Sequence, residues 1–276
     1  MKVAVTGANG YIGKHVVSRL LNDGCEVLAI DIADTGVDER AEFIQGSLFD
    51  DVEKIADKIS EVDVCIHMAW RNGFVHNADS HIEELMGHYN FVRAIVEKGV
   101  KQIAVMGTMH EIGYWEGAID ENTPAAPVSK YGIAKNALRQ LVFEEVKGKN
   151  VVLQWLRCYY ITGDDTKNNS IFAKLIDAEK EGKELFPFTS GKNKYDFIDV
   201  DELAYQISCA IRQKEINGII NCCSGKPISL ADKVESFLSE KNMKIKLEYG
   251  KFPDRPYDSP AVWGDSEKIE KIISMY

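Results

Sequence analysis

A tyrosine and a lysine lie four residues apart in the segment 131–135, which reads YGIAK. On a helix, Tyr131 and Lys135 would project from the same face. Free tyrosine has a pKa of about 10 and is a poor base at neutral pH, but an adjacent ammonium stabilises the phenolate and lowers that pKa. Tyr131 could then take a proton from a hydroxyl, or give one to a carbonyl oxygen, while a hydride moves. The pair alone is a weak signal, because a chain of this composition contains roughly one such pair by chance, as an exposed helical pair.

Thr108 is the third candidate for this chemistry. It follows a run, 101–107, that has the composition of a buried strand. A hydroxyl at the C-terminal edge of a parallel strand faces the ligand crevice, so Thr108 could hydrogen-bond the reacting oxygen beside Tyr131. The alternative is that Thr108 caps a helix or a turn. His110 and Glu111 follow, but nothing pairs with His110 at metal-ligand spacing, and we predict no metal site.

The segment 6–13, which reads TGANGYIG, has the spacing of a dinucleotide-binding loop. It follows a strand-like run and opens a helix-like one, which is the context that such a loop requires. Gly7 would allow the tight turn, Gly10 would let the backbone approach a pyrophosphate, and Gly13 would let the helix pack against the strand. The free N–H groups at the helix N-terminus would then bind the anion.

An aspartate closes the next strand-like run. Asp31 is placed to accept hydrogen bonds from both ribose hydroxyls of an adenosine, and it would repel a 2′-phosphate. No Lys or Arg lies between Asp31 and Asp38, while Asp34 adds negative charge. This balance favours NAD over NADP. The alternative is a strand-end aspartate that caps a turn.

The elements that must position these residues are short β-rich runs separated by helix-length amphipathic segments. The runs lie at 2–6, 26–31, 62–67, 101–107 and 151–157, and the segments between them include 13–22, 82–98 and 131–146. Such alternation predicts an α/β fold, a doubly wound parallel sheet covered by helices on both faces.

The pattern loosens after residue 163. Separate helices are predicted near 171–181, 200–213 and 230–241, with short strands near 219–222 and 244–248. We therefore expect a cofactor-binding domain at 1–163 and a smaller α/β substrate-binding lobe at 164–276, whose elements could cross back to the sheet. The cleft between them is the expected ligand site.

The composition argues against several classes of partner. The 276 residues carry a formal net charge of -10, which speaks against nucleic acid, because its phosphates need clustered Lys and Arg. No apolar run approaches the roughly 20 residues of a membrane span, and the strand-like start of the chain predicts no signal peptide. The six cysteines form no C-x-x-C pair, so we expect free thiols in a reducing cytoplasm.

Taken together, these residues resemble the extended short-chain dehydrogenase/reductase family, especially its sugar-nucleotide epimerases, dehydratases and reductases. The resemblance covers nearly the whole chain. Besides TGANGYIG, Asp31 and YGIAK, it rests on HMA at 67–69, DENTP at 120–124, LR at 156–157, YDFIDVD at 195–201, NCCSGKPIS at 221–229, RPYD at 255–258 and GDSEK at 264–268. The last two segments are similar to the closing part of a UDP-galactose epimerase.

The resemblance implies a Rossmann-type sheet, NAD as the cofactor, a nucleoside-diphosphate sugar as the substrate, and a homodimer formed through paired helices that include 131–146. It implies Thr108, Tyr131 and Lys135 as the catalytic residues. The implied NAD site consists of Gly7, Asn9, Gly10, Tyr11, Ile12, Gly13, Asp31, Ser47, Leu48, Met68, Ala69, Tyr131 and Lys135. The implied substrate contacts are Arg255, Asp258, Tyr160 and Tyr195, with Arg255 as a clamp on the diphosphate. The alternative is that Arg255 pairs with a surface carboxylate such as Asp254 or Asp258.

Four positions depart from the family pattern. Ser47 stands where an acid near the adenine is usual, and Glu84 stands where an asparagine is usual. Tyr160 and Tyr195 replace an asparagine and an arginine that contact the diphosphate in the family. Arg157, Lys192 or Lys194 could compensate for these two lost contacts.

The leading hypothesis is a sugar-nucleotide 4-epimerase, in which Tyr131 removes a hydroxyl proton, NAD takes the hydride, and the hydride returns to the other face of the keto sugar. Asp31 favours it, since the family's epimerases recycle NAD whereas its biosynthetic reductases mostly use NADPH. The alternative is a 4-keto-6-deoxysugar-nucleotide reductase using NADH or NADPH. A dehydratase needs further acid/base residues after Thr108, for which Glu111 is a candidate. From another class, a non-catalytic NAD-sensing protein would usually lack the Tyr or the Lys.

Overall fold

The strand-like runs form one parallel sheet in the computed structural model, which describes residues 1–163, 170–254 and 258–276. The strands are β1 Lys2–Thr6, β2 Glu26–Asp31, β3 Glu42–Gln45, β4 Val64–His67, β5 Gln102–Thr108, β6 Gly117–Ile119, β7 Val152–Cys158, β8 Tyr160–Thr162, β9 Leu185–Pro187, β10 Lys194–Asp199, β11 Gly218–Cys222, β12 Pro227–Ser229, β13 Lys246–Glu248 and β14 Ala261–Gly264. Seven of them pair in the order β11-β7-β5-β4-β1-β2-β3, and every pair is parallel. The strand order reverses between β1 and β4, and ligands bind at such switch points.

Helices cover both faces of this sheet. The helices of the described residues are α1 Tyr11–Asn22, α2 Val52–Lys58, α3 Ser80–Glu83, α4 Leu85–Glu97, α5 Lys130–Val146, α6 Ile171–Lys180, α7 Val200–Ile211, α8 Leu230–Glu240 and α9 Glu267–Ile273, of which α6 and α8 belong to the smaller lobe. Helix α1 packs against α7, while α4 packs against α2 and α5. In α1 the buried residues Val16, Val17 and Leu20 recur at helical spacing, which is why one face of this helix lies on the sheet. None of the described helices has the length and apolar character to cross a membrane.

The core consists of two apolar layers, one on each face of the sheet. Successive residues of a strand point to opposite faces, so Val3 and Val5 join the layer under α1 and α7, whereas Ala4 joins the layer under α4 and α5. All seven residues of the central strand β5 are buried, as expected for a strand covered on both faces. This packing fixes the C-terminal ends of the strands, where the candidate residues lie.

The smaller lobe is built from short strands and the helices α6 and α8. Strands β12, β10, β14 and β6 form a second sheet in that order, β8 pairs with β10, and β9 pairs with β13. Phe172 of α6 and Val234 of α8 are buried in one apolar cluster with Phe188. The chain returns to the large sheet at β11, which pairs with β7. The domain boundary at residue 163 stays a prediction.

The predicted elements are confirmed where a run is deeply buried. Strands β1 and β2 have the predicted bounds, and α5 begins one residue before its predicted start. The single helix predicted at 82–98 is instead two helices that meet at Glu84, which forms an ion pair with Arg71. Strand β3 is absent from the prediction because only Ile44 is buried in it, and one buried residue makes no apolar run.

We expect Gly107→Ala to lower the free energy of unfolding by about 1–3 kcal/mol, the usual cost of overpacking a core. A Cβ on Gly107 would lie 2.1 Å from Nε1 of Trp155, which is fully buried. Urea unfolding measures the change. Gly73→Ala is the matched control, since a Cβ there meets nothing within 4 Å, and its expected effect is below about 0.5 kcal/mol. Equal losses in the two variants would contradict this description of the core.

Candidate active site

The C-terminal ends of β1, β2, β4, β5 and β7 open into a cleft of about 1900 Å³. Its lining includes Gly7 and Asp31 from the large sheet, and Tyr160 and Tyr195 from β8 and β10. The predicted catalytic residues also line it: Thr108, Tyr131 and Lys135. The fold therefore brings the predicted catalytic, cofactor and substrate residues that the structure describes to one cleft.

The glycine-rich loop between β1 and α1 is packed too tightly for side chains. Gly7 has a φ of 70°, in the left-handed region, and a Cβ on it would lie 2.7 Å from Cα of Ala69. A Cβ on Gly13 would lie 2.1 Å from the carbonyl oxygen of Gly7, and a Cβ on Gly10 would lie 3.1 Å from the same atom. The N-terminus of α1 is thus approachable by a pyrophosphate at the backbone.

Asp31 is held at the end of β2 by two backbone N–H groups. Its Oδ2 accepts a hydrogen bond from Asn9 (2.9 Å), and its Oδ1 accepts one from Ile32 (2.7 Å). Each carboxylate oxygen keeps a further lone pair that could bind a ribose hydroxyl. Lys14 of α1 reaches the loop after β2. Its Nζ lies 3.0 Å from the position that a Cβ on Gly36 would occupy. Lys14 lies outside the segment 31–38, so the charges along that segment alone do not include this cation.

The remaining predicted cofactor residues also line the cleft: Asn9, Tyr11, Ile12, Ser47, Leu48, Met68 and Ala69. The Tyr11 hydroxyl donates a hydrogen bond to the carbonyl oxygen of Gly163 (2.5 Å). Oγ of Ser47 accepts hydrogen bonds from the N–H groups of Phe49 (3.2 Å) and Asp50 (3.3 Å), and so fixes a turn after β3. The tight glycine loop and the carboxylate at its mouth fit a dinucleotide such as NAD.

Thr108 ends β5 and begins a 3₁₀ turn, Met109–Glu111. Its Oγ1 accepts a hydrogen bond from the N–H of His110 (3.3 Å), and its own N–H donates to Oε1 of Glu111 (2.7 Å). Thr108 and Glu111 therefore cap the turn reciprocally. Because the hydroxyl acts as an acceptor in this cap, its proton is free to point into the cleft, where Thr108 hydrogen-bonds the side chain of Tyr131. Both interpretations from the sequence apply, since Thr108 is a turn cap and also a hydroxyl that lines the cleft.

Glu111 is a buried carboxylate that ties β5, α5 and β7 together. Besides bonding to Thr108, its Oε1 accepts a hydrogen bond from Nε1 of Trp155 (2.8 Å). Its Oε2 lies 3.4 Å from Nε of Arg139 and 3.7 Å from a terminal nitrogen of Arg157. Burial raises the pKa of Glu111, and Arg157 opposes this rise. Glu111 is fully buried and does not line the cleft, so it is not placed to act as the acid or base of a dehydratase.

Arg157 is likewise turned away from any ligand. It is 1% exposed, and it donates a hydrogen bond to the carbonyl oxygen of Asp120 (2.9 Å) in addition to its ion pair with Glu111. It does not line the cleft. The expectation that Arg157 could replace the lost diphosphate contacts is therefore wrong, because its guanidinium compensates a buried carboxylate.

Tyr131 and Lys135 lie on the first two turns of α5, and both line the cleft, as the spacing predicts. A Cβ on Gly132 would lie 2.3 Å from the carbonyl oxygen of His110, so the helix rests directly on the 3₁₀ turn after β5. Lys135 is 3% exposed, and its Nζ donates a hydrogen bond to the carbonyl oxygen of Met106 (2.8 Å). The end of β5 therefore positions both catalytic candidates on the helix.

Burial dominates the protonation of this pair. It raises the pKa of Tyr131, and a hydrogen bond with the side chain of Thr108 opposes the rise only in part. It lowers the pKa of Lys135 to about 7, against the attraction of Glu111. Burial therefore outweighs the favourable contacts of the Tyr131 phenol, and the lowering of its pKa by Lys135 stays a prediction. A protonated phenol is the form that can donate to a ketone oxygen.

The predicted substrate side of the cleft is aromatic. The rings of Tyr160 and Tyr195 have centroids 4.6 Å apart, and Phe197 lies 5.7 Å from Tyr160. Burial raises the pKa of Tyr160, which keeps its phenol neutral. Asp258 also lines the cleft, whereas Arg255 lies outside the described residues. The structure thus brings Tyr160, Tyr195 and Asp258 to the cleft.

Three histidines stand beside Tyr131, and the sequence assigns none of them to the site. His81 lies 5.2 Å from Tyr131 between ring centroids. His76 stacks on Tyr131 with centroids 5.5 Å apart, and His110 lies 4.3 Å from His76 and 6.0 Å from Tyr131. Burial lowers the pKa of His110 to about 4 and also lowers that of His76. No spacing in the sequence connects His76 and His110, because only the fold brings their loops together. Among residues 1–163, 170–254 and 258–276, no three His, Cys, Asp or Glu side chains are grouped to hold a metal ion.

Comparison with known proteins relates this cleft to a family. The profile of the NAD dependent epimerase/dehydratase family matches residues 3–223. The dTDP-6-deoxy-L-talose 4-dehydrogenase (NAD(+)) of Aggregatibacter actinomycetemcomitans is 49% identical over 269 residues, which cover 96% of this chain and 99% of that protein. An uncharacterized UDP-glucose epimerase of Bacillus subtilis is 25% identical over 99% of this chain and 92% of its own.

The fold is shared with a crystal structure of a UDP-glucose 4-epimerase from Thermotoga maritima with UDP-glucose. The TM-score is 0.82 at 20% identity, and the match covers 98% of this chain and 92% of that chain. At this identity the likeness shows the fold alone, and it confirms the predicted Rossmann-type sheet. NAD is confirmed as the cofactor. The chain therefore belongs to the NAD-dependent epimerase/dehydratase family, within the extended short-chain dehydrogenases/reductases, and is an NAD-dependent enzyme.

Proposed function

We propose that this enzyme oxidises the C4 hydroxyl of a nucleoside-diphosphate 6-deoxyhexose with NAD, and reduces the corresponding 4-keto sugar in reverse. The observation that carries this proposal is the 49% identity to a dTDP-6-deoxy-L-talose 4-dehydrogenase (NAD(+)) over nearly the full length of both chains. The 4-keto-6-deoxysugar-nucleotide reductase that the sequence offers as an alternative is the same reaction in the opposite direction. We therefore prefer this redox reaction to 4-epimerisation, which the sequence analysis put first.

Three side chains of the cleft perform the proton chemistry in this proposal. NAD supplies the hydride acceptor for oxidation and the hydride donor for reduction. Thr108, whose hydroxyl proton is not used in the turn cap, orients the C4 oxygen. Tyr131 takes the proton of that oxygen as a phenolate, or returns it as a phenol, and the ammonium of Lys135 stabilises the phenolate. The raised pKa of Tyr131 favours the protonated phenol, which suits the reduction.

The aromatic substrate side supports a 6-deoxysugar. Such a sugar carries a methyl group at C5, where an ordinary hexose carries a hydroxymethyl group. Burial of a methyl against the rings of Tyr160, Tyr195 and Phe197 is favourable by about 0.8 kcal/mol, and the ring of Phe197 offers a hydroxyl no hydrogen-bond partner. We assign Tyr160, Tyr195, Asp258 and Arg255 as substrate contacts, with Arg255 on the diphosphate.

A 4-epimerase is the second candidate, because the Bacillus subtilis relative is named an epimerase. It would use the same Thr108, Tyr131 and Lys135, but it would return the hydride before the keto sugar leaves. The two reactions therefore differ in whether NADH accumulates. A dehydratase has less support, since Glu111, its candidate acid or base, is buried outside the cleft lining.

We also infer that two copies of the chain pair through α5, as the family resemblance implies. Ile133 and Leu141 on this helix are 46% and 36% exposed. Pairing would withdraw these apolar side chains from water, which is favourable. The homodimer stays a prediction.

With dTDP-6-deoxy-L-talose and NAD, we expect one NADH to form for each sugar oxidised, because net oxidation leaves the hydride on the released nucleotide. Absorbance of NADH and chromatography of the nucleotide sugars measure this ratio. The matched control substrate is dTDP-L-talose, whose C6 hydroxyl should slow the reaction at least about tenfold. A C4 epimer that accumulates without NADH would exclude the dehydrogenase in favour of the epimerase.

We expect Tyr131→Phe to lower kcat about 10²–10⁴-fold, because the substitution removes only the oxygen that exchanges the proton. NAD affinity measured by calorimetry should stay within about threefold of the wild type. The matched control is Tyr249→Phe, in the smaller lobe outside the cleft lining, where the phenol donates to Glu235 and turnover should be unaffected. Near-normal turnover of Tyr131→Phe with any substrate would overturn the mechanism.

A further inference from the structure

Trp70 follows β4, and the ammonium of Lys135 lies over its ring, with Nζ 3.8 Å from the ring centroid. Lys135 is buried, and within the described residues its ammonium makes one hydrogen bond, to Met106. A buried ammonium needs further compensation, and an indole face is the best aromatic partner for a cation. We propose that Trp70 is a positioning residue, which holds the Lys135 ammonium in the cleft beside Tyr131.

A chain of two hydrogen bonds, through His81, holds the edge of the indole. Nε1–H of Trp70 donates to Nδ1 of His81 (3.0 Å). Because Nδ1 accepts, the imidazole of His81 carries its proton on Nε2, and this group donates to the carbonyl oxygen of Val75 (3.0 Å). The backbone at Val75 thereby sets the rotation of the Trp70 ring.

The indole is also stacked on His88, with centroids 4.4 Å apart and planes 16° apart. His88 is itself oriented from the sheet. Oγ1 of Thr6 accepts hydrogen bonds from the N–H groups of the two residues after β4, so its own proton is donated to Nδ1 of His67 (2.9 Å). His67 then donates from Nε2 to Nδ1 of His88 (3.1 Å). Burial lowers the pKa of both histidines, so neither ring carries a charge that would repel the ammonium.

These hydrogen bonds and ring contacts connect Thr6, at the end of β1, to Tyr131 and Lys135 on α5. Trp70 contacts Tyr131 as well as Lys135, since the Trp70 and Tyr131 rings meet edge to face at 6.2 Å. Without the indole, the buried ammonium would lose the face that favours its charged form. A smaller fraction of the Lys135 side chains would then be charged and able to stabilise the Tyr131 phenolate. The inference rests on the roles proposed above for Tyr131 and Lys135.

NMR of carbon-13-labelled lysine side chains tests the contact without substrate or turnover. In the wild type, the Hε resonances of Lys135, assigned by comparison with Lys135→Met, should be shifted upfield by the ring current of Trp70. Trp70→Phe keeps an aromatic face and should keep much of this shift, whereas Trp70→Leu should abolish it. The pH at which the Lys135 Cε resonance titrates should fall in Trp70→Leu. The titratable side chains near Lys135 are the same in all these variants: Glu111, Cys158, Tyr131, His67 and His88.

Turnover gives the second readout. Trp70→Leu should lower kcat about tenfold, and Trp70→Phe should recover most of the loss. In the Lys135→Met background, Trp70→Leu should have no further effect, because Trp70 acts through Lys135. The matched control is Trp115→Leu, a half-buried tryptophan outside the cleft lining, which should change neither kcat nor the Lys135 resonances.

The inference is overturned if the wild-type Lys135 resonances are not shifted upfield. It is also overturned if Trp70→Phe loses as much activity as Trp70→Leu at an unchanged melting temperature, or if the losses of Trp70→Leu and Lys135→Met are additive. The wild-type shift and Trp70→Phe decide the matter even if Trp70→Leu does not fold. An upfield shift in a protein that turns over no nucleotide sugar would support the positioning of Lys135 while contradicting the proposed function.

Discussion

The geometry of the cleft depends on one buried carboxylate. Glu111 accepts the N–H of Thr108 at the end of β5, and it attracts Arg139 of α5 and Arg157 of β7. Such charges can be buried together because they compensate one another, and removal of one partner typically costs about 3–5 kcal/mol. Three elements are thereby joined behind Thr108 and the helix that carries Tyr131 and Lys135. Since Glu111 does not line the cleft, this electrostatic support leaves the cleft itself free for ligands.

On the cofactor side, the constraint is steric. Gly7 and Gly13 leave no space for a Cβ, so the loop lies directly against the end of β4 at Ala69. One residue further, Trp70 turns toward Lys135. The segment after β4 therefore has two contacts, because Ala69 packs against the glycine-rich loop and Trp70 places an aromatic face against Nζ of Lys135. The proposed cofactor loop and the proposed proton-transfer residues thus share this piece of backbone.

The features that could be predicted from the sequence are those that local geometry determines. Tyr131 and Lys135 share a helix face because an α-helix has about 3.6 residues per turn. The spacing of the three glycines is likewise set by the backbone geometry of a single loop. Tertiary contacts determine the rest. His76 and His110 meet only in the fold, and Lys14 reaches the loop after β2 from a helix. The pKa of Tyr131 is raised rather than lowered, because burial depends on the packing of the whole chain.

If the cleft works as proposed, a hydride passes from C4 of the nucleotide sugar to NAD and leaves with it. A single turnover with the sugar deuterated at C4 tests this transfer most directly, with mass spectrometry of both the nicotinamide nucleotide and the sugar product. We predict that the deuterium is found in the reduced nucleotide, and that the deuterated sugar reacts more slowly than the unlabelled one. Deuterium that is retained in the sugar product, or released to water, would contradict the proposed oxidation.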